Sequence, residues 1–386
     1  MKKITLLIII CVFFTGCGKR DVKQNVTNSE KTTTEASTEL LTSENTTIEP
    51  ATEETTKETT EETTEETTEK EVELDPTLEE AIRIELGITA EAELTDDMLK
   101  EMTYLAAFET NIDSLAGISK LVNLTELHIS KGNIRDISEL KELKNLTFID
   151  IANCYVTEIP DFSVLENLSS LYLGGNLIED VTPISKVTSL RYVDLSCNRI
   201  KSISPMADCN FLEGLVIDGN CILDYYTIKD SLGLIEAIDY FSQCKVSYCI
   251  EVEEKAKSIV KAFPKNLTEL ELEKVIYQYI IDNVEYDVVD GNATAFGYEA
   301  LIGGVGVCGH YADGFCLLAN HAGIEAYVCN SETHAWNIVK IDGKYYHCDA
   351  LWDEGVDEWS YFNVGADYIL NTPDHTYEIN KYPICE

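Results

Sequence analysis

The chain has 386 residues, with 69 Asp or Glu against 29 Lys or Arg and a formal net charge of −40. A surface this acidic repels nucleic acid and anionic lipid, which argues against both as partners of a folded part. Hydrophobic residues make up 45%, enough for sizeable cores, and the length allows more than one domain.

Residues 1–16 read as an export signal, with two lysines, an apolar run from Ile4 to Phe14, and then Thr15-Gly16-Cys17. The run is too short to span a bilayer, which takes about 20 residues. Small residues ahead of a cysteine that cleavage would leave first resemble a bacterial lipoprotein signal, although Phe14 stands where Leu is common. On this reading Cys17 carries the lipid and the mature chain sits on the extracellular face of the cell membrane, held by that lipid alone. The plainer alternative is an ordinary secretory signal or an uncleaved N-terminal anchor.

Residues 17–75 are dominated by Thr and Glu; from Asp21 onward they hold seventeen Asp or Glu against four Lys or Arg. Such a segment cannot bury enough apolar surface to offset chain entropy, so it is expected to be an extended, self-repelling tether. Residues 76–98 are expected to form a helical cap, since Leu78 to Leu86 has amphipathic spacing. That cap resembles the one on internalin-like bacterial repeat proteins.

From 99 to 243 the chain repeats every 22 residues. Taking Leu99, Leu121, Leu143, Leu165, Val187 and Cys209 as first positions, offset three is Met102, Leu124, Leu146, Leu168, Leu190 and Leu212. Offsets six, eight and thirteen are apolar in every repeat, for example Leu127, Ile129 and Ile134. Offset eleven holds Asn176, Asn198 and Asn220, with Cys154 earlier, where a buried side chain would bond the loop backbone. These columns are a leucine-rich repeat, and stacked copies form a parallel β horseshoe with a continuous core. Offsets five and seven fall on the concave face and bring Tyr104, Phe148, Tyr172 and Tyr192 beside Asp150 and Asp194. Rigid aromatics next to carboxylates suit protein docking; the alternative is that they only pack the strands.

Residues 244–386 carry the chemistry. Cys308 lies in Gly306-Val307-Cys308-Gly309-His310-Tyr311, His334 in Thr333-His334-Ala335-Trp336-Asn337, and Asp349 in His347-Cys348-Asp349-Ala350-Leu351-Trp352. The apolar spacing of Tyr311, Phe315, Leu318 and Ala319 predicts a helix starting at Cys308 and ending before Gly323, and a helix N-terminus favours the thiolate. Strands are expected over His334–Ile341 and Lys344–Leu351 around the Asp342-Gly343 turn. A two-residue turn there makes His334 and Asp349 diagonal neighbours on one sheet face. Thiol, imidazole and carboxylate in this order suit nucleophilic acyl chemistry. His310 and His347 read as packed or solvated bystanders, and Trp336 and Trp352 as walls of the site.

Glu251 to Trp359, including Lys274 to Asp287, resembles the transglutaminase-like superfamily, whose fold is α+β and papain-like. The resemblance implies Cys308 as nucleophile, His334 as general base and acid, and Asp349 as the residue that orients it. Ala350-Leu351 departs from the Pro-Thr that many members carry after the aspartate. The implied function is a surface-anchored cysteine enzyme acting on protein carboxamide or peptide bonds through a thioester, by acyl transfer or hydrolysis, with the repeats binding a protein partner or substrate. A cysteine peptidase and a non-catalytic repeat adhesin are the alternatives. No organic cofactor and no metal are expected, since neither an EF-hand loop nor a Cys-x-x-Cys pair occurs. Among thirteen cysteines, Cys209, Cys221, Cys244 and Cys249 are candidates for partial pairing, with connectivity open.

Overall fold

The computed structural model describes residues 73–108, 111–209, 211–217, 219–228, 246–287 and 296–386. The expected signal over 1–16, Cys17, all of the 17–75 tether but its last three residues, and the boundary between 243 and 244 lie outside the described residues.

Helix α1 (Pro76–Leu86) begins where the Asp75 carboxylate accepts the N–H groups of Thr77 (2.9 Å) and Leu78 (3.3 Å), and Pro76 fills a first-turn position that needs no donor. It ends at Gly87 with φ 64°, a left-handed cap that glycine adopts without strain. Leu78, Ala81 and Ile82 join the core of the repeats. A short α2 (Asp96–Glu101), capped by Thr95, leads into the first strand.

Six parallel strands follow, β1 (Tyr104–Phe108), β2 (Glu126–Ser130), β3 (Phe148–Ala152), β4 (Ser170–Tyr172), β5 (Tyr192–Asp194) and β6 (Gly214–Val216), paired in chain order. The register steps by the repeat length: Leu105 faces Leu127, Leu127 faces Ile149, Ile149 faces Leu171, Leu171 faces Val193 and Val193 faces Leu215. All residues at offsets zero, three, six, eight and thirteen are buried. Single helical turns such as Ser138–Glu142 and Thr182–Lys186 carry the chain back on the other side. The asparagine column stitches neighbours together. Asn176 accepts the Val156 N–H at 3.0 Å and donates to the Ile151 carbonyl at 2.8 Å, and Asn198 does the same for Ile178 and Leu173.

The C-terminal part packs helices on a small sheet. α3 (Val246–Ala262), α4 (Glu269–Asn283) and α6 (Cys308–His321) share one core with strands β9 (Ala326–Asn330), β10 (Ala335–Ile341) and β11 (Lys344–Cys348). The three strands are antiparallel in the order β11-β10-β9. Between α4 and α6 lie β7 (Glu285–Tyr286), a single turn α5 (Phe296–Tyr298) that widens over Glu299–Gly303, and β8 (Val305–Gly306); α7 (Ala366–Leu370) follows the sheet. Thr268 and Glu271 form a reciprocal cap at the start of α4. The Asp342-Gly343 turn has positive φ at both residues, 49° and 84°, the conformation that matches strand twist in a two-residue hairpin.

Offset twelve of the repeats supplies several of the contacts between the two parts, with Lys201 and Leu223 at offset fourteen beside it. Tyr155 donates its hydroxyl to Glu378 at 2.9 Å, the Arg199 guanidinium donates to the Lys381 carbonyl, and Cys221 is disulfide-bonded to Cys316 on α6. Arg199 and Lys201 both lie over the Tyr327 ring, 5.2 Å from its centroid.

Glu273 on α4 is fully buried, with Asn363 donating to its Oε2 at 2.7 Å, and burial pushes its carboxyl up to about 8. A carboxyl raised in the folded state contributes stability below its unfolded value near 4.5, and that stability is lost as pH rises through 8. Glu273→Gln keeps an acceptor toward Asn363 without the charge. It should therefore stabilise the protein by about 3 kcal/mol at pH 7 but by less than about 1 kcal/mol at pH 5. Thermal melts of both proteins at the two pH values read this difference directly, and an equal shift at both would contradict it.

Candidate active site

Cys308 is the first residue of α6. The helix starts abruptly because the His310 ring folds back and its Nδ1 accepts the Val307 N–H at 3.1 Å. Gly306 is required by that fold-back, since a Cβ there would come within 2.3 Å of the His310 Cβ. His310 is thus a packed residue that holds the turn before the cysteine, and burial lowers its pKa to about 4. Cys308 is 1% exposed and packs against Ala312 and Ala335, the latter adjacent to His334.

His334 lies one residue before β10, and Asp349 one residue after β11. Both strands stop short of the expected His334 and Leu351 ends. The hairpin register Ile341↔Lys344 through Asn337↔Cys348 brings the two residues diagonally together on one face, and His334 Nε2 meets Asp349 Oδ2 at 2.6 Å. β11 ends early because Asp349 turns the chain. Its Oδ1 accepts the N–H groups of Leu351 (3.0 Å) and Trp352 (3.1 Å), the local bonding by which Asp breaks a strand.

Asp349 has a second imidazole partner. His375, fully buried, places Nε2 3.0 Å from the same Oδ2. Its Nδ1 lies 2.9 Å from the Pro373 carbonyl and 3.1 Å from the Thr372 hydroxyl. Burial alone would raise the Asp349 carboxyl, but the charge of His334 and hydrogen bonds from both histidines overcome it and hold it at about 2. Asp349 is therefore a carboxylate at neutral pH, so the nitrogens facing Oδ2 carry protons. Among the described residues, His334, Asp349 and His375 form the one acidic or histidine cluster with donor atoms within 4.8 Å of one another; its short contacts are those of a proton held between nitrogen and oxygen.

Aromatic rings enclose this cluster. Trp336 stacks on His334 at 5.9 Å and Trp352 approaches it at 5.7 Å, while Tyr361 stacks on His375 at 5.6 Å. Trp336 is itself fixed by donating to His347 Nδ1 at 2.9 Å, so His347 is a packed residue two shells from the thiol. The loop after Asp349 is pinned from α4: the Tyr277 hydroxyl lies 2.7 Å from both the Asp349 carbonyl and the Asp353 carboxylate.

Cys308 opens into a cavity of about 670 Å³ lined on one side by Val307, Cys308, Gly309 and Val328 and on the other by the turns of the repeats. On the concave sheet, His128 stacks on Phe148 (4.7 Å), Phe148 meets Tyr172 edge-on (5.1 Å), and His128 lies 3.8 Å from Asp150. Tyr104 and Tyr192 are 40% and 45% exposed. Asp194 is turned to its own loop, where it accepts from Ser196 at 2.7 Å.

Residues 257–350 match the family described as the transglutaminase-like superfamily, and residues 144–186 match a leucine-rich-repeat family. The C-terminal unit is a transglutaminase-like domain. Its superfamily is typically one of cysteine enzymes, and in this chain the transglutaminase-like domain follows a leucine-rich-repeat domain. The chain is similar to an internalin C2 (inlC2) from Listeria monocytogenes, at 22% identity over 40% of this chain and 89% of that one, with a TM-score of 0.26. It is also similar to an internalin (inlF) of the same organism, at 20% identity over 43% of this chain and 75% of that one, with a TM-score of 0.19. Scores this low bear on nothing further; the repeat fold stands on the strand register and the buried columns. A search of curated proteins finds no sequence match.

His375 carries no sequence signal that would have singled it out. It lies 26 residues beyond Asp349 and outside the matched segment, in the turn Thr372-Pro373-Asp374-His375.

Proposed function

We propose that the transglutaminase-like domain is a cysteine enzyme that acts on protein carboxamide or peptide carbonyls. The observation that carries the reading is the buried Asp349 carboxylate bonded to His334, whose neighbour Ala335 packs against Cys308 and lines the cavity with it. With Nε2 held by Asp349, Nδ1 is the nitrogen that exchanges a proton with the thiol. The Cys308 thiolate attacks the carbonyl carbon and forms a C–S bond. The tetrahedral intermediate collapses as the C–N bond breaks, and the imidazolium of His334 gives its proton to the departing ammonia or amine. The thioester then passes to an amine, giving an amide cross-link, or to water activated by the same imidazole, giving an acid. The positive end of the 14-residue α6 favours the thiolate.

Asp349 orients His334, and His375 acts through Asp349 as a positioning residue. His375→Ala removes one charge-assisted hydrogen bond from the carboxylate and should lower kcat about tenfold with little change in KM. Glutamine presents a donor amide in a similar place, so His375→Gln should recover most of the loss. A melt-matched pair in which neither variant changes kcat would remove His375 from the mechanism.

The concave sheet, with its aromatic ladder from Tyr104 through Phe148 and Tyr172 and with Asp150 and Tyr192 beside it, is proposed as the surface that binds a protein partner. The export reading is part of the same proposal: the chain is lipidated at Cys17 and displayed on the outer face of the membrane, with the acidic tether as a spacer. Metabolic labelling with a fatty-acid probe, compared with Cys17→Ser, tests the anchor. Mass analysis of a glutamine-rich acceptor protein with a tagged primary amine tests the chemistry.

A further inference from the structure

The second to sixth repeats each contain one bend with positive φ at offset ten: Lys131 (60°), Asn153 (54°), Gly175 (72°), Cys197 (52°) and Gly219 (69°). This is where the chain leaves its concave strand, and the 22-residue period stacks the five bends into a ridge. That ridge lines the cavity that holds Cys308. The repeats therefore form a wall of the cleft itself, in addition to displaying a separate concave face.

The charge of this wall runs against the rest of the chain. Acidic residues outnumber basic ones by more than two to one over the whole sequence, 69 to 29. Among the described residues lining the cleft the ratio reverses, with Lys131, Arg199, Lys201 and Lys381 against Asp313 and Glu332. Lys381 is partly answered by Glu378 at 3.3 Å. Arg199 and Lys201 each lie 5.2 Å from the centroid of the Tyr327 ring. Burial holds the Lys201 ammonium below its usual range despite Glu325 and Glu179 nearby, so an added anion beside it is favoured. Asp313, on the opposite wall, is pushed up to about 7 by burial, so it is only about half ionised at neutral pH.

We propose that the cleft selects substrates bearing a carboxylate next to the reactive carbonyl, taken up by Arg199 and Lys201 on the repeat wall, with Lys131 at the rim. The substrate class is an acidic peptide segment. This deepens the enzyme reading above and rests on it for turnover, although not for binding. The repeat domain is then a specificity element, and a catalytic domain cut away from it loses the acid preference.

The test uses the full chain and three fluorescein-labelled peptides that differ only in the residues flanking a central glutamine: glutamates, serines or lysines. Wild type should favour the glutamate peptide over the lysine peptide by about tenfold in kcat/KM. Lys201→Ala and the exposed Lys131→Glu should each shrink that ratio severalfold. Lys344→Ala, paired with Glu386 away from the cleft lining, should not change it. Equal kcat/KM for the three peptides, or a ratio that Lys201→Ala and Lys131→Glu leave intact, overturns the proposal. Anisotropy titrations with Cys308→Ala protein measure the same preference without chemistry. Tighter binding of the glutamate peptide, weakened by salt and by Lys201→Ala, supports the cleft even if no peptide is turned over, in which case the enzyme reading alone fails. No preference in either assay sinks the acidic-substrate assignment.

Discussion

Cys308→Ala lowers modification of a carboxamide substrate by about 10⁴-fold or more, and His334→Ala costs a similar factor. The two losses should not add, because thiol and imidazole act as one unit: without His334 the thiol keeps its proton, and without Cys308 the imidazole has nothing to deprotonate. Asp349→Asn should cost less than either. It keeps an acceptor oxygen but loses the negative charge that holds the imidazolium. Single-turnover kinetics on wild type, the three single variants and the Cys308→Ala/His334→Ala double variant read the pattern. Equal rates for Cys308→Ala and wild type would remove the nucleophile from the account, while additive losses in the double variant would mean that the residues act independently.

Breaking the Cys221–Cys316 disulfide should be the largest single loss of stability outside the chemistry. The bond closes a loop of 95 residues between the last repeat and the middle of α6. Chain-entropy arguments put such a closure at about 4–5 kcal/mol. Cys221→Ser, melted without reductant, should therefore unfold well below wild type, and reductant should bring wild type down to the variant. The Tyr155–Glu378 and Arg199–Lys381 contacts still join the two parts, so the domains should remain folded at ambient temperature. If the midpoints coincide under oxidising conditions, the bond contributes nothing and the other contacts carry the junction.

Much of this architecture is readable from residue spacing, for physical reasons that differ by region. A repeat whose apolar columns return every 22 residues has only one way to bury them all, and the strand register follows that period. The Asp342-Gly343 pair fixes the hairpin because few other residue pairs accept positive φ twice in succession, and the hairpin register then aligns His334 with Asp349. The helix after Cys308 announces itself by its apolar face, all of which is buried.

The features that escape a sequence reading depend on contacts between distant segments. His375 reaches Asp349 from a turn with no periodicity. The early end of β11 is set by an aspartate bonding its own following N–H groups, which competes with strand propensity. At the junction, offset twelve holds Tyr155, Leu177, Arg199 and Cys221, and no shared chemistry marks that column as an interface. The pairing of Cys221 with Cys316 is likewise invisible to spacing, because connectivity depends on how two domains dock. The cleft wall has the same character: bends that look like solvent-facing turns in each repeat become one side of a cavity only when α6 is laid against them.

The most direct test of the central claim follows a glutamine-containing acceptor protein incubated with the purified chain and a tagged primary amine, with Cys308→Ala in parallel, by mass spectrometry. The account predicts a change at the acceptor's carboxamide or peptide bonds, as amine incorporation, deamidation or cleavage, present with the wild-type chain and absent with Cys308→Ala. The same change in both reactions, or none with wild type across a panel that includes acidic peptides and cell-surface proteins, would contradict it.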